Sequence, residues 1–218
     1  MKIQKPLIQN KKALGKTIAA TFLVLLTSNA IAEVTNYKAS GKSASVSSFN
    51  VSADGCGYTN VSVYLAESMY KDAPGAPVKP GPSGNVFMSN YNWCAGTGSW
   101  GWGELAVQQF GVTGNLGSAQ GIGTGQITSY DWWGNATVET VTVNLTFTGE
   151  GDLYQGTNRN HYSYGALRMI NRSSGSYREA AVTGSISSST FSITLPSGND
   201  YGSIGSFRNQ SLTVDNNR

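Results

Sequence analysis

The sequence predicts an all-β chain. We expect one single-domain, two-sheet antiparallel β-sandwich, jelly-roll-like, with about nine or ten strands. Three observations carry this. Charged residues make up only 12% of the chain, which holds 27 glycines and is rich in Ser, Thr, Asn and Tyr. That composition disfavours helices. Val141, Val143, Leu145 and Phe147 alternate strictly with Thr140, Thr142, Asn144 and Thr146, as in a strand with one dry and one wet face. Turn-forming clusters punctuate the rest at the spacing of short strands.

In chain order, residues 1–32 read as a cleaved secretory signal peptide. Met1 to Lys16 carries five lysines and no acidic residue, and Thr17 to Leu26 is a short apolar run. Ala30-Ile31-Ala32 is a small-x-small cleavage site. The apolar run is short for a membrane span. No second run approaches one, so no transmembrane segment is expected after cleavage. The expected location is secreted, periplasmic or extracellular, in a bacterium. Cleavage removes five of the fifteen Lys and Arg residues and leaves ten against twelve Asp and Glu. The chain then changes from net positive to slightly negative, and a general affinity for nucleic acid is not expected.

Residues 33–43 read as a polar N-terminal arm and residues 44–218 as the sandwich domain. Ala44–Ala53 alternates weakly and suits a first, edge strand. Asp54–Gly57 is a turn. Thr59–Ala66 is a strand with Val61, Val63 and Leu65 on one face. Lys71–Gly84 holds Pro74, Pro77, Pro80 and Pro82, so it reads as an extended loop. Cys56 and Cys94 flank it, and an exported location favours a disulfide between them. Closing a loop of that length contributes about 4 kcal/mol in the chain-entropy model. Asn85–Trp93 and Trp100–Phe110 are strands, and Gly111–Gly125 is a glycine-rich connection. A hairpin follows from Gly125 to Phe147, turning at Gly134-Asn135. That loop would set Tyr130 opposite Glu139 and turn Tyr130 and Trp132 toward the face of Val141. Gly149–Asn160 is turn-rich. His161–Asn171 and Tyr177–Gly184 read as strands around a turn at Arg172–Gly175. Phe191–Leu195 and Ser203–Val214 complete the set.

Four chemistries can be drawn from these residues. Trp100 and Trp102, spaced by glycine, share one strand face; Trp132 and Trp133 lie beside the hairpin turn. Flat aromatic faces bind sugar rings by apolar stacking. The same side chains would also suit a core, and for Trp100 and Trp102 both placements stay open; Trp133 is expected at the surface. A second candidate surface is Tyr162, Tyr164 and Arg168, beside Arg159, Arg172 and Arg178, where guanidinium groups could pair with an oxyanion. A glycosidase would need two carboxylates, drawn from Glu104, Glu139 and Glu179. In size, export and composition the chain is similar to small jelly-roll xylanases, a likeness that carries over no residue. Glu150 and Asp152 could offer oxygen ligands to a structural calcium ion; no other cofactor is expected.

These observations imply a non-catalytic, exported protein that binds an extracellular polysaccharide or cell-surface glycan through exposed aromatic residues. The alternatives are a surface-fibre or biofilm-matrix subunit, assembling into a homo-oligomer by strand addition through residues 33–42, and a small secreted glycoside hydrolase. Membrane insertion by amphipathic hairpins is a further alternative.

Overall fold

A computed structural model describes residues 33–71 and 79–215. The expected signal peptide and residues 72–78 of the proline-rich loop lie outside the described residues. Nine strands follow one another: β1 (Glu33–Val51), β2 (Gly57–Lys71), β3 (Pro82–Asn92), β4 (Thr97–Val112), β5 (Ser118–Asp131), β6 (Ala136–Tyr164), β7 (Leu167–Ser187), β8 (Ser192–Leu195) and β9 (Asp200–Asp215).

Each strand from β1 to β6 pairs antiparallel with the next, and β6 pairs with β7. β8 and then β9 run back along the other edge of β7. β9 finally pairs with β1, from Glu33 opposite Asp215 to Ser48 opposite Asp200. The sheet therefore closes on itself as an up-and-down barrel. The class, the antiparallel pairing and the strand number are those expected. The two layers expected of a sandwich are the facing walls of one continuous sheet. From β1 to β8 each strand pairs with the next in the chain, because short turns lead it straight back along the last, and only the closing pairs of β9 with β7 and β1 depart from chain order.

Alternation decides what the barrel holds. Val61, Val63 and Leu65 of β2 point inward, as do Val86 and Met88 of β3 and Val141, Val143, Leu145 and Phe147 of β6; all are buried. Ile186 and Ile204 complete the far wall. A barrel of this strand number has an interior just wide enough for side chains to fill. Phe147 is the only aromatic side chain in this buried core among the described residues.

Four connections lie at one end of the barrel, around residues 52–56, 93–96, 132–135 and 188–191. Cys56 and Cys94 are joined there, so the disulfide staples the β1–β2 turn to the β3–β4 turn. At the opposite end the sheet outgrows the barrel. β6 and β7 continue as a long hairpin to a turn at Gly165, which has φ +57°. The second half of β9, the first half of β1 and the last residues of β2 run alongside it.

This extension differs from the sequence expectation. Residues 33–43, read as a free arm, are the first half of β1. From Lys38 to Ser48 that strand lies between β2 and β9, so it is not an edge. Gly149–Asn160 is strand, not turns. Arg172–Gly175 sits mid-strand, paired with β6 on one side and β9 on the other. Ladder hydrogen bonds on both edges override the turn propensity of Ser-Ser-Gly. The glycine-rich connection is likewise mostly β5. Gly121 and Gly123 face the interior, and a β-carbon on Gly121 would collide with Leu65.

Candidate functional site

The Trp-Gly ribbon of β4 fixes one outer surface. Gly101 and Gly103 are buried on the inner face, where added β-carbons would strike Ser129 and the Gln126 carbonyl of β5. The alternate residues, Trp100 and Trp102, therefore stand outside, 52% and 58% exposed. Pairing sets Phe87 of β3 opposite Trp102. On the other side Tyr130 of β5 is opposite Trp100, with ring centroids 5.4 Å apart. Asn85, Ser89 and Thr128 share this face by the same register and add hydrogen-bonding groups between the rings.

A second line of rings crosses the same wall toward the disulfide end. Phe49 of β1 stacks on Tyr58 of β2 at 5.1 Å. Tyr58 meets Tyr91 of β3 at 6.4 Å, and Tyr91 meets Trp132 at 5.6 Å. Together these rings form an aromatic wall over the outer face of β1 to β5. It is a broad surface, not a cleft.

The hairpin turn that carries Trp132 and Trp133 is wider than Gly134-Asn135 alone. Tyr130 pairs with Ala136, and Ile127 pairs with Glu139. The partner of Tyr130 thus moves from Glu139 to Ala136, an odd displacement, so Tyr130 turns outward instead of toward Val141. Asp131 builds the wider turn. One carboxylate oxygen accepts the N–H groups of Trp133 and Asn135, each at 2.8 Å, and the other accepts the Asn135 amide at 2.8 Å. Hydrogen bonding from the Asn135 side chain is the main cause holding the Asp131 carboxyl below the usual range. The indoles on this turn are the most exposed of the set, Trp132 at 70% and Trp133 at 87%. Sequence reasoning missed Phe49, Tyr58, Phe87, Tyr91 and Tyr130, whose parity relative to Trp100 emerges only from the register.

The remaining candidates fall elsewhere. Tyr162 and Tyr164 lie on the outer face of the β6 extension, whereas Arg168, opposite Ser163, lies on its inner face. These three do not form one surface. Glu139 points into the barrel, 6% exposed, and accepts the Thr190 hydroxyl at 2.7 Å. Glu104 and Glu179 stand on the outer faces of β4 and β7, with β5 and β6 between them. No two of the three glutamates share a cleft. Glu150 pairs opposite Glu179. No group of three or more His, Cys, Asp or Glu side chains able to hold a metal lies together among the described residues.

In comparisons with known proteins, no family model matches the chain, and no curated protein matches it in sequence.

Proposed function

We propose that this is an exported, non-catalytic binding protein that holds an extracellular or cell-surface glycan on the outer aromatic wall of its barrel. The observation that carries this reading is the division of aromatic and aliphatic residues. Among the described residues the buried hydrophobic core is Val, Leu, Ile, Ala, Met88 and a single Phe, while Trp100, Trp102, Trp132 and Trp133 stay in water. Contiguous exposed apolar surface of this kind marks interaction sites. Rings set flat on a rigid sheet, with amide and hydroxyl groups between them, suit stacking on sugar rings. The polar outer face of β6, with Thr140, Thr142, Asn144 and Thr146 exposed, and the apolar interior are the reverse of a membrane-spanning barrel, which carries its apolar band outside. Secretion in a bacterium rests on the sequence of residues 1–32 and is supported by the disulfide.

The test is a polysaccharide-binding panel with tryptophan quenching on the signal-free protein. One glycan should protect the indoles from acrylamide. Alanine at both Trp100 and Trp102 should abolish that binding while the chain stays folded. Unchanged binding in the double variant would sink the reading.

One observation favours a second reading, assembly by strand addition. Among the described residues, Glu150 to Tyr164 of β6 has β7 on one edge and no strand on the other. An open edge of that length is a template for another chain. Concentration-dependent assembly that a proline at Asn158 removes would support it.

A further inference from the structure

The extension at the open end sorts its charges by face. Register places Lys38, Lys42, Lys71, Arg159, Arg172 and Arg208 on the side continuous with the barrel interior. Glu150 and Glu179 face the other way, whereas Glu67, paired opposite Lys42, is an acidic residue on the cation side. Two of the cation pairs are directly opposed across neighbouring strands, Lys38 with Lys71 and Arg159 with Arg172. Like charges so placed weaken a sheet. Among the described residues no acidic side chain forms an ion pair with Arg159, Arg172 or Arg208. A salt bridge at this face joins Glu67 to Lys79 at 3.1 Å.

Four of these cations, Lys42, Arg159, Arg172 and Arg208, line hollows. Arg159, Arg172 and Arg208 surround one of about 470 Å³, together with Thr157, Ser174 and Gln210. Thr157, Ser174 and Arg208 also line the next, of about 570 Å³, which adds Lys42 and the ion-paired Lys79 and Glu67. The two hollows are therefore contiguous and form a trough over the mouth of the barrel. Lys42 sits at its floor, where its ammonium donates to the Val112 carbonyl across the barrel at 2.6 Å.

We infer that this trough binds an acidic polysaccharide, with sulfate or phosphate groups seated between Arg159, Arg172 and Arg208. Guanidinium groups pair with such oxyanions through two parallel hydrogen bonds. An anion between Arg159 and Arg172 turns their repulsion into attraction. The hydroxyls and amides of Thr157, Ser174 and Gln210 suit sugar hydroxyls. No aromatic residue lines the arginine hollow, so it offers no platform for stacking nucleic-acid bases. Two joined hollows fit a polymer with repeating charge better than a lone ion. The trough shares no residue with the aromatic wall, so it stands or falls separately from the wall reading.

The test titrates the signal-free protein with dextran sulfate and with uncharged dextran at several salt concentrations. Dextran sulfate should bind, dextran should not, and affinity should fall as salt rises. The combined Arg159→Gln, Arg172→Gln and Arg208→Gln variant should bind at least about tenfold more weakly with a flatter salt dependence. Its unliganded unfolding midpoint should hold or rise, because a repulsive pair is gone. A purely structural role for these arginines would lower it. Should the triple variant not fold, Arg172→Gln alone should still lose about threefold or more, about 0.7 kcal/mol at threefold. Trp100→Ala should leave this binding unchanged. Undiminished binding by a folded arginine variant would overturn the inference. So would equal retention of dextran, or tighter binding to single-stranded DNA or anionic vesicles than to dextran sulfate.

Discussion

The Trp132 indole occupies the space that a side chain on Gly98 would need: a β-carbon there would lie 2.5 Å from the indole nitrogen and 2.9 Å from the Tyr91 ring. Gly98 thus lets the turn after β5 fold back over β4 and complete the line of rings from Phe49 to Trp132. Gly98→Ala should evict Trp132. Because the new methyl also approaches the Asn90 carbonyl, stability should fall by about 1–3 kcal/mol, as in other overpacked sites. Loss of aromatic near-ultraviolet dichroism with retained strand content would report the eviction. An unchanged spectrum would place the indole elsewhere.

The wall and the core should respond to truncation in opposite ways. Trp100→Ala or Trp102→Ala removes a side chain that is more than half exposed. The stability loss should stay within about 1.5 kcal/mol, the scale of one aromatic pair, while glycan binding falls. Phe147→Ala opens a void in the centre of the barrel and should cost about 3–5 kcal/mol. Urea unfolding of the variants side by side checks both statements.

Reducing the Cys56–Cys94 bond should lower stability by about 2–4 kcal/mol. The bond joins two turns that are neighbours in the barrel but 38 residues apart in the chain. A Cys56→Ser/Cys94→Ser variant should reproduce the loss, and the reductant should have no further effect on it.

Asp200 predicts an acid response. Burial pushes its carboxyl up, but hydrogen bonds from Ser197 and Ser48 outweigh burial and hold it below the usual carboxylate range. A depressed folded value stabilises the protein above the unfolded value of about 3.9, and that contribution fades as pH falls toward the folded value. Asp200→Asn should therefore be less stable than the parent at neutral pH, and the gap should narrow in acid. Thermal midpoints from neutral pH to below pH 4 measure it. A gap independent of pH would remove Asp200 from the acid response.

Legibility in the sequence followed how unequal the two faces of a strand are. Thr140–Phe147 was readable because Thr140, Thr142 and Thr146 meet water while Val141, Val143, Leu145 and Phe147 meet the core. The turn before it was not, since Asp131, and not the Gly134-Asn135 pair, sets its width. β5 hid its pattern because Gly121 and Gly123, both inward, have no side chain to display. The extension of β6 and β7 hid for the opposite reason: both its faces are wet, so no alternation of hydrophobicity records it. Trp100 and Trp102 were recognisable as a pair, but only the buried glycines of β4 decide which way they point. The arginines of the trough come from β6, β7 and β9, and proximity in sequence grouped Arg159 with Arg168 and Arg172 while missing Arg208.

The pairing of β1 with β9 makes the first described strand wait for the last. Until Asp200–Asp215 arrives, β1 has one bare edge and the barrel is a curled, sticky ribbon. Closure then brings together residues from opposite ends of the chain, the slowest class of contact to find. A chain lacking Asp200–Asp215 would keep the pairings from β1–β2 to β7–β8 and lose both pairings that close the sheet, β7–β9 and β9–β1. Its bare β1 edge would be a template for another strand. Closure of the barrel thus depends on one contact between strands far apart in sequence, β1 with β9.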